Sequence, residues 1–199
     1  MSRTVAYFFS HASPWSFMGH RRLIDLCAEV DAALDLRSIS VADVFPKTGG
    51  LPLKDRPPER QSYRMAELKR WPQKLGLEIV LEPKFFPVDD KPSGRLAVAA
   101  ARRGVDVGPL SERIMSGVWQ REENIADLDA LKRMAEDVGL DGDGLVEESL
   151  TEAASQGLAD NGARALRGGC FGVPWYEVDG EPFWGQDRLD MLAERLREA

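Results

Sequence analysis

The first apolar run, Val5-Ala6-Tyr7-Phe8-Phe9, is short and rich in aromatics, which suits a buried strand better than an amphipathic helix. It breaks at Ser10-His11-Ala12. Ser13-Pro14 then reads as a helix start, with a hydroxyl at the N-cap and proline at the first helical position, where its missing N–H costs nothing. Phe17, Ile24, Cys27, Ala28 and Val30 recur at roughly helical spacing, which predicts a helix to about residue 30. Leu34 and Leu36 alternate with Asp35 and Arg37 as in a strand. A right-handed crossover would set the two strands parallel and put Ser13 at the carboxyl edge of the first.

Residues 46–58 are dense in Pro and Gly and read as a loop with accessible backbone amides. Helical texture follows over 59–75, 93–103, 110–121, 128–138 and 144–157. A short helix after Asn161 reaches Gly168-Gly169. Two short runs flanking Asp179-Gly180 then spell a hairpin, and a helix over 187–198 closes the chain. The order β-α-β, helical block, α-β-β-α is an α/β, thioredoxin-like fold interrupted by an all-helical insertion domain. The expected units are residues 1–45 and 159–199 for the thioredoxin-like part and 46–158 for the insertion, one face of which should roof the Ser13 edge.

Composition narrows the chemistry. The 199 residues allow one compact unit, and 43% hydrophobic with 30% charged residues is ordinary for a folded, water-soluble chain. The net charge of −7 argues against nucleic acid and anionic membrane as partners, because such binding depends on phosphate neutralisation. No stretch approaches the roughly 20 apolar residues that span a bilayer, and the chain enters its first strand almost at once, so a cytoplasmic address is expected. Cys27 and Cys170 are far apart and, with His11 and His20, do not make a zinc site. Residues 139–144 imitate part of a calcium loop but lack the first ligand and the closing glutamate, so they read as a helix-linking turn.

Ser13-Pro14-Trp15-Ser16 after the first strand, Gly172-Val173-Pro174 before the hairpin, and Phe183-Trp184-Gly185-Gln186-Asp187-Arg188-Leu189 together resemble the 2-hydroxychromene-2-carboxylate isomerases. That family is related to kappa-class glutathione transferases and, more distantly, to bacterial disulfide oxidoreductases, and the likeness covers almost the whole chain. It implies glutathione as cofactor, a small aromatic substrate and a homodimer. Ser13 would be the catalytic residue, stabilising an external thiolate at a helix N-terminus, since positions 13 and 16 are both serine and no dithiol is present. Val173-Pro174 would be the cis-proline turn whose backbone pairs with the cysteinyl part of glutathione, and Gln186 and Asp187 would hold its γ-glutamyl end. The resemblance further assigns Lys47, Gly50, Pro52 and Arg60 to glutathione binding.

Departures from the family pattern stand beside these matches. Gly50 replaces an asparagine, and Arg60 replaces a lysine that meets the glycyl carboxylate, trading a point charge for a planar fork. Ser10 stands where an aspartate is common, and Asp89 where asparagine is frequent. Trp15 and Trp175 place indoles beside the serine and the proline, where they would reshape the acceptor pocket. The implied reaction interconverts 2-hydroxychromene-2-carboxylate and trans-o-hydroxybenzylidenepyruvate by reversible thiolate addition, with Lys47 receiving the substrate carboxylate or opposing enolate charge. Two alternatives share the topology: a kappa-class-like glutathione transferase, and a non-catalytic glutathione-binding protein.

Overall fold

A computed structural model describes residues 3–198. Four strands form one mixed sheet in the order β2-β1-β3-β4: β1 is Thr4–Phe9, β2 Ala33–Ser38, β3 Trp175–Val178 and β4 Glu181–Trp184. β1 runs parallel to β2 and antiparallel to β3, with Tyr7 opposite Leu36 on one side and Tyr176 on the other. From Val5 to Phe9 the strand is apolar because both of its faces are covered. Val5, Tyr7 and Phe9 point to a core shared with Leu23 of helix α1 (Pro14–Glu29) and Leu192 of helix α9 (Leu189–Arg197). Ala6 and Phe8 point the other way, toward Val44 of helix α2 (Val41–Thr48) and Ala165 of helix α8 (Glu152–Arg167). The hairpin turn places Asp179 (φ 52) and Gly180 (φ 81) both left-handed, the backbone that matches the twist of its strands.

Between α2 and α8 lie α3 (Pro58–Leu75), α4 (Lys91–Arg102), α5 (Val107–Trp119), α6 (Leu128–Asp137) and α7 (Gly142–Ser149). Helices α4 to α7 enclose a third core around Trp119, Leu131 and Met134. Ala12, Phe17 and Leu36 pack against that core, so the helical block is seated directly on the Ser13 edge of the sheet.

The structure corrects several boundaries. The 46–58 segment is not all loop: α2 passes through Pro46, a proline there removing one hydrogen bond of a helix only eight residues long, and ends at left-handed Gly49 (φ 75). A short 3-10 turn follows at Leu53–Asp55. The helix expected over 144–157 is two, because Thr151 caps α8 by accepting from the Ala154 N–H at 3.3 Å. Helix α8 then runs unbroken through Asn161 to Arg167, and a 3-10 turn at Gln186–Arg188 precedes α9. Both expected unit boundaries, 45/46 and 158/159, therefore fall inside helices.

Candidate functional site

Ser13 is the N-cap of α1, and its Oγ accepts from the Ser16 N–H at 3.2 Å. That bond uses a lone pair, and among the described residues the hydroxyl proton has no acceptor, at the end of the helix where the macrodipole favours negative charge. Ser13 lines a cleft of about 1030 Å³ that opens between the carboxyl edge of β1, the α2–α3 segment and the turns at Val173 and Gln186. Both cysteines lie outside it, and burial pushes each thiol up to about 11, so the cleft has no thiolate of its own.

A buried carboxylate holds the loop carrying Ser13. Asp90, just before α4, is 6% exposed, and instead of capping that helix it accepts from Ser10 Oγ at 2.5 Å and Ser40 Oγ at 2.8 Å. Ser10 Oγ in turn accepts from the Ala12 N–H at 3.2 Å, and the Ser10 carbonyl accepts from the Ser13 N–H at 3.1 Å. Burial raises the Asp90 carboxyl above its usual range, opposed by the donors from Ser10, Ser40 and Val41. Sequence reasoning missed Asp90. Asp90-Lys91-Pro92 reads only as a helix start, and the Asp90 side chain does not cap α4, so no local signal marked its role.

His11 completes this cluster as a structural group. The Ser93 hydroxyl donates to the Asp90 carbonyl at 3.0 Å, so at 3.1 Å it accepts from His11 Nδ1–H, and His11 Nε2 accepts from Ser111 Oγ at 3.1 Å. Burial, with His20 adding to it, lowers the His11 imidazole to about 3, which keeps it neutral. His20 is lowered to about 4, first by burial, and donates through Nε2 to the Gly108 carbonyl at 3.0 Å.

The opposite wall is formed at the same end of the sheet, by the start of β3 and the residues that follow β4. Val173–Pro174 is a cis peptide; Val173 lines the cleft, Pro174 is buried behind it, and the Val173 N–H and C=O have no hydrogen-bond partner among the described residues. The Pro174 carbonyl accepts from the Gly185 N–H at 3.0 Å, which ties this turn to the one bearing Asp187. Gly185 sits at φ 104, and a β-carbon there would strike the Asp187 carboxylate, so only glycine fits. Asp187 lines the cleft and reaches Arg188 at 3.4 Å. Gln186 also borders the cleft but is 2% exposed, its side-chain oxygen taken by Arg22 Nη1 at 2.7 Å, so it joins α1 to this turn.

Of the remaining expected positions, Gly50, Pro52 and Arg60 line the cleft and Lys47 does not; it lies exposed on the last turn of α2. The Phe45 ring occupies the space where a β-carbon on Gly50 would go, which explains why an asparagine is absent there. Trp15 borders the cleft, whereas Trp175 is core, packed edge-on against Phe171 at 5.2 Å. Asp89 is at the rim, and Trp71 reaches the cleft while donating to Glu67 at 2.9 Å.

This four-stranded sheet with a helical block over a capped helix start defines a class. The family model described as a DSBA-like thioredoxin domain matches residues 4–197, and the chain belongs to that family. Among curated proteins it is similar to a 2-hydroxychromene-2-carboxylate isomerase of Sphingobium xenophagum, 29% identical over 98% of this chain and 99% of the relative. It is also similar to human glutathione S-transferase kappa 1, at 26% identity over 100% and 92% of the two chains. Among solved structures, a 2-hydroxychromene-2-carboxylate isomerase superposes with a TM-score of 0.81 at 23% identity, covering 97% of this chain and 94% of that one, and shows the same fold.

Proposed function

We propose that the protein is a glutathione-dependent isomerase of the 2-hydroxychromene-2-carboxylate type, acting in aromatic compound catabolism as a cytoplasmic homodimer. The observation that carries this reading is the free Ser13 hydroxyl proton at a helix start, facing a large cleft that has no cysteine. The residues present fit glutathione: Val173 offers an unpaired backbone N–H and C=O as a short strand edge, Asp187 offers a carboxylate for an ammonium group, and Arg60 offers a fork for a carboxylate.

Bound glutathione would supply a thiolate for reversible addition to a conjugated double bond, converting it to a single bond about which rotation is easy. Ser13 donates its proton toward the sulfur position and thereby lowers the cost of the thiolate. The α1 dipole adds to this, and Asp90 through Ser10 fixes where the Ser13 loop stands. Trp15, Phe45 and Phe86 give the cleft apolar wall against which the acceptor would pack.

The test is calorimetric titration with glutathione, then assay of 2-hydroxychromene-2-carboxylate turnover. Saturable binding, weakened in Asp187→Ala by about tenfold for loss of a charge-assisted hydrogen bond, supports the reading. No binding at millimolar glutathione overturns it. The likeness to a kappa-class transferase favours one second reading, in which the same site releases a conjugate, and product analysis separates the two.

A further inference from the structure

Arg56, Arg60 and Arg64 stand four residues apart and all line the same cleft. The first is fixed by its Nε donating to the Leu51 carbonyl at 2.9 Å, with its guanidinium 5.8 Å from the centre of the Phe45 ring. The third lies 5.4 Å from the centre of the Phe86 ring. Among the described residues no carboxylate lies within ion-pair distance of any of the three. Glu67, one turn beyond Arg64, is taken by Arg70 and Trp71, and Glu59 borders the cleft without pairing.

Three neighbouring cations, two of them partly withdrawn from water, are costly without an anion, since sequestered charges are ordinarily paired. Burial, then the charge of Arg56, lowers Arg64 to about 10, and burial, then Arg60, lowers Arg56. One carboxylate of glutathione would satisfy Arg60 and leave the inner two unmatched. Lys47, the sequence-based candidate for the substrate carboxylate, is outside the cleft.

Resting on the proposed function, we infer that Arg64, supported by Arg56, is the residue that binds the carboxylate of the electrophilic substrate, the task the sequence reading gave to Lys47. The guanidinium fork takes the two oxygens, and the rings of Phe45 and Phe86 supply apolar wall for the planar body.

The test uses trans-cinnamate and its neutral amide as probes, with glutathione titrated separately, on wild type, Arg64→Gln and Arg56→Gln. Loss of a charge-assisted pair should weaken cinnamate by about tenfold in Arg64→Gln and about threefold in Arg56→Gln, with the amide and glutathione unchanged within about twofold. Thermal melts confirm that the variants are folded. Unchanged cinnamate binding in folded Arg64→Gln overturns the inference. So does an equal loss of glutathione affinity, which would assign Arg64 to glutathione. Failure of wild type to bind glutathione, with cinnamate still dependent on Arg64, would instead sink the glutathione reading and leave the carboxylate site standing.

Discussion

The two walls of the cleft are built differently. On the Ser13 side, Asp90, Ser10, Ser40, His11, Ser93 and Ser111 are all buried and tied to one another by hydrogen bonds. On the α3 side, Arg60 and Tyr63 are exposed and, among the described residues, Arg56, Arg60 and Arg64 have no acidic partner. A closed network fixes geometry before a ligand arrives, whereas unmatched charges wait for one. Under the proposed function the difference separates the roles: the sheet edge would set the position of the thiol chemistry, and the α3 side would select what reacts with it.

The largest effect expected from breaking this contrast is at Asp90. Asp90→Ala leaves the Ser10 and Ser40 hydroxyls without their acceptor and should cost about 2–4 kcal/mol of unfolding free energy in urea titration. Asp90→Asn isolates the charge. A carboxyl held above its ordinary 3.8 binds its proton more tightly folded than unfolded. Its contribution to stability is therefore greatest in acid, declines as pH rises from that ordinary value through the raised one, and is level above it. Wild type minus Asp90→Asn should show that decline; a difference that rises with pH would mean the hydroxyl donors outweigh burial.

Gly185→Ala comes next. A left-handed residue at φ 104 whose β-carbon meets the Asp187 carboxylate should cost about 1–3 kcal/mol and weaken glutathione binding by displacing Asp187. Wild-type affinity in this variant would detach Asp187 from the ligand. Lys47→Ala should be the mildest: the residue lies outside the cleft, so turnover and glutathione affinity should stay within about twofold. A larger loss would return the substrate carboxylate to Lys47 and remove the need for Arg64.

What could be read from the sequence was what local grammar encodes. β1, the Ser13-Pro14 helix start and the Asp179-Gly180 hairpin each carry their signal within a few residues, and each is in place. The course of α2 through Pro46 was hidden because proline and glycine read as breakers, while burial of Val44 against the sheet holds the helix. Asp90 was hidden for a different reason. Its partners Ser10 and Ser40 come from 80 and 50 positions away, so nothing beside it reports the network. The absence of asparagine at position 50 made sense only once the Phe45 ring was seen in its place. Arg56 and Arg64 carry no local sequence signal of a site; they join Arg60 at the cleft only through the placement of α3 and the turn before it.

The central claim is that Ser13 turns an external thiol into a thiolate. Ultraviolet difference absorbance of glutathione on binding, at neutral pH, measures that directly in wild type and in Ser13→Ala. The account predicts a thiolate band in wild type that is lost in the variant, with turnover falling by about a hundredfold or more, as for removal of one donor to a developing anion. A thiolate band of equal size in both proteins would contradict it.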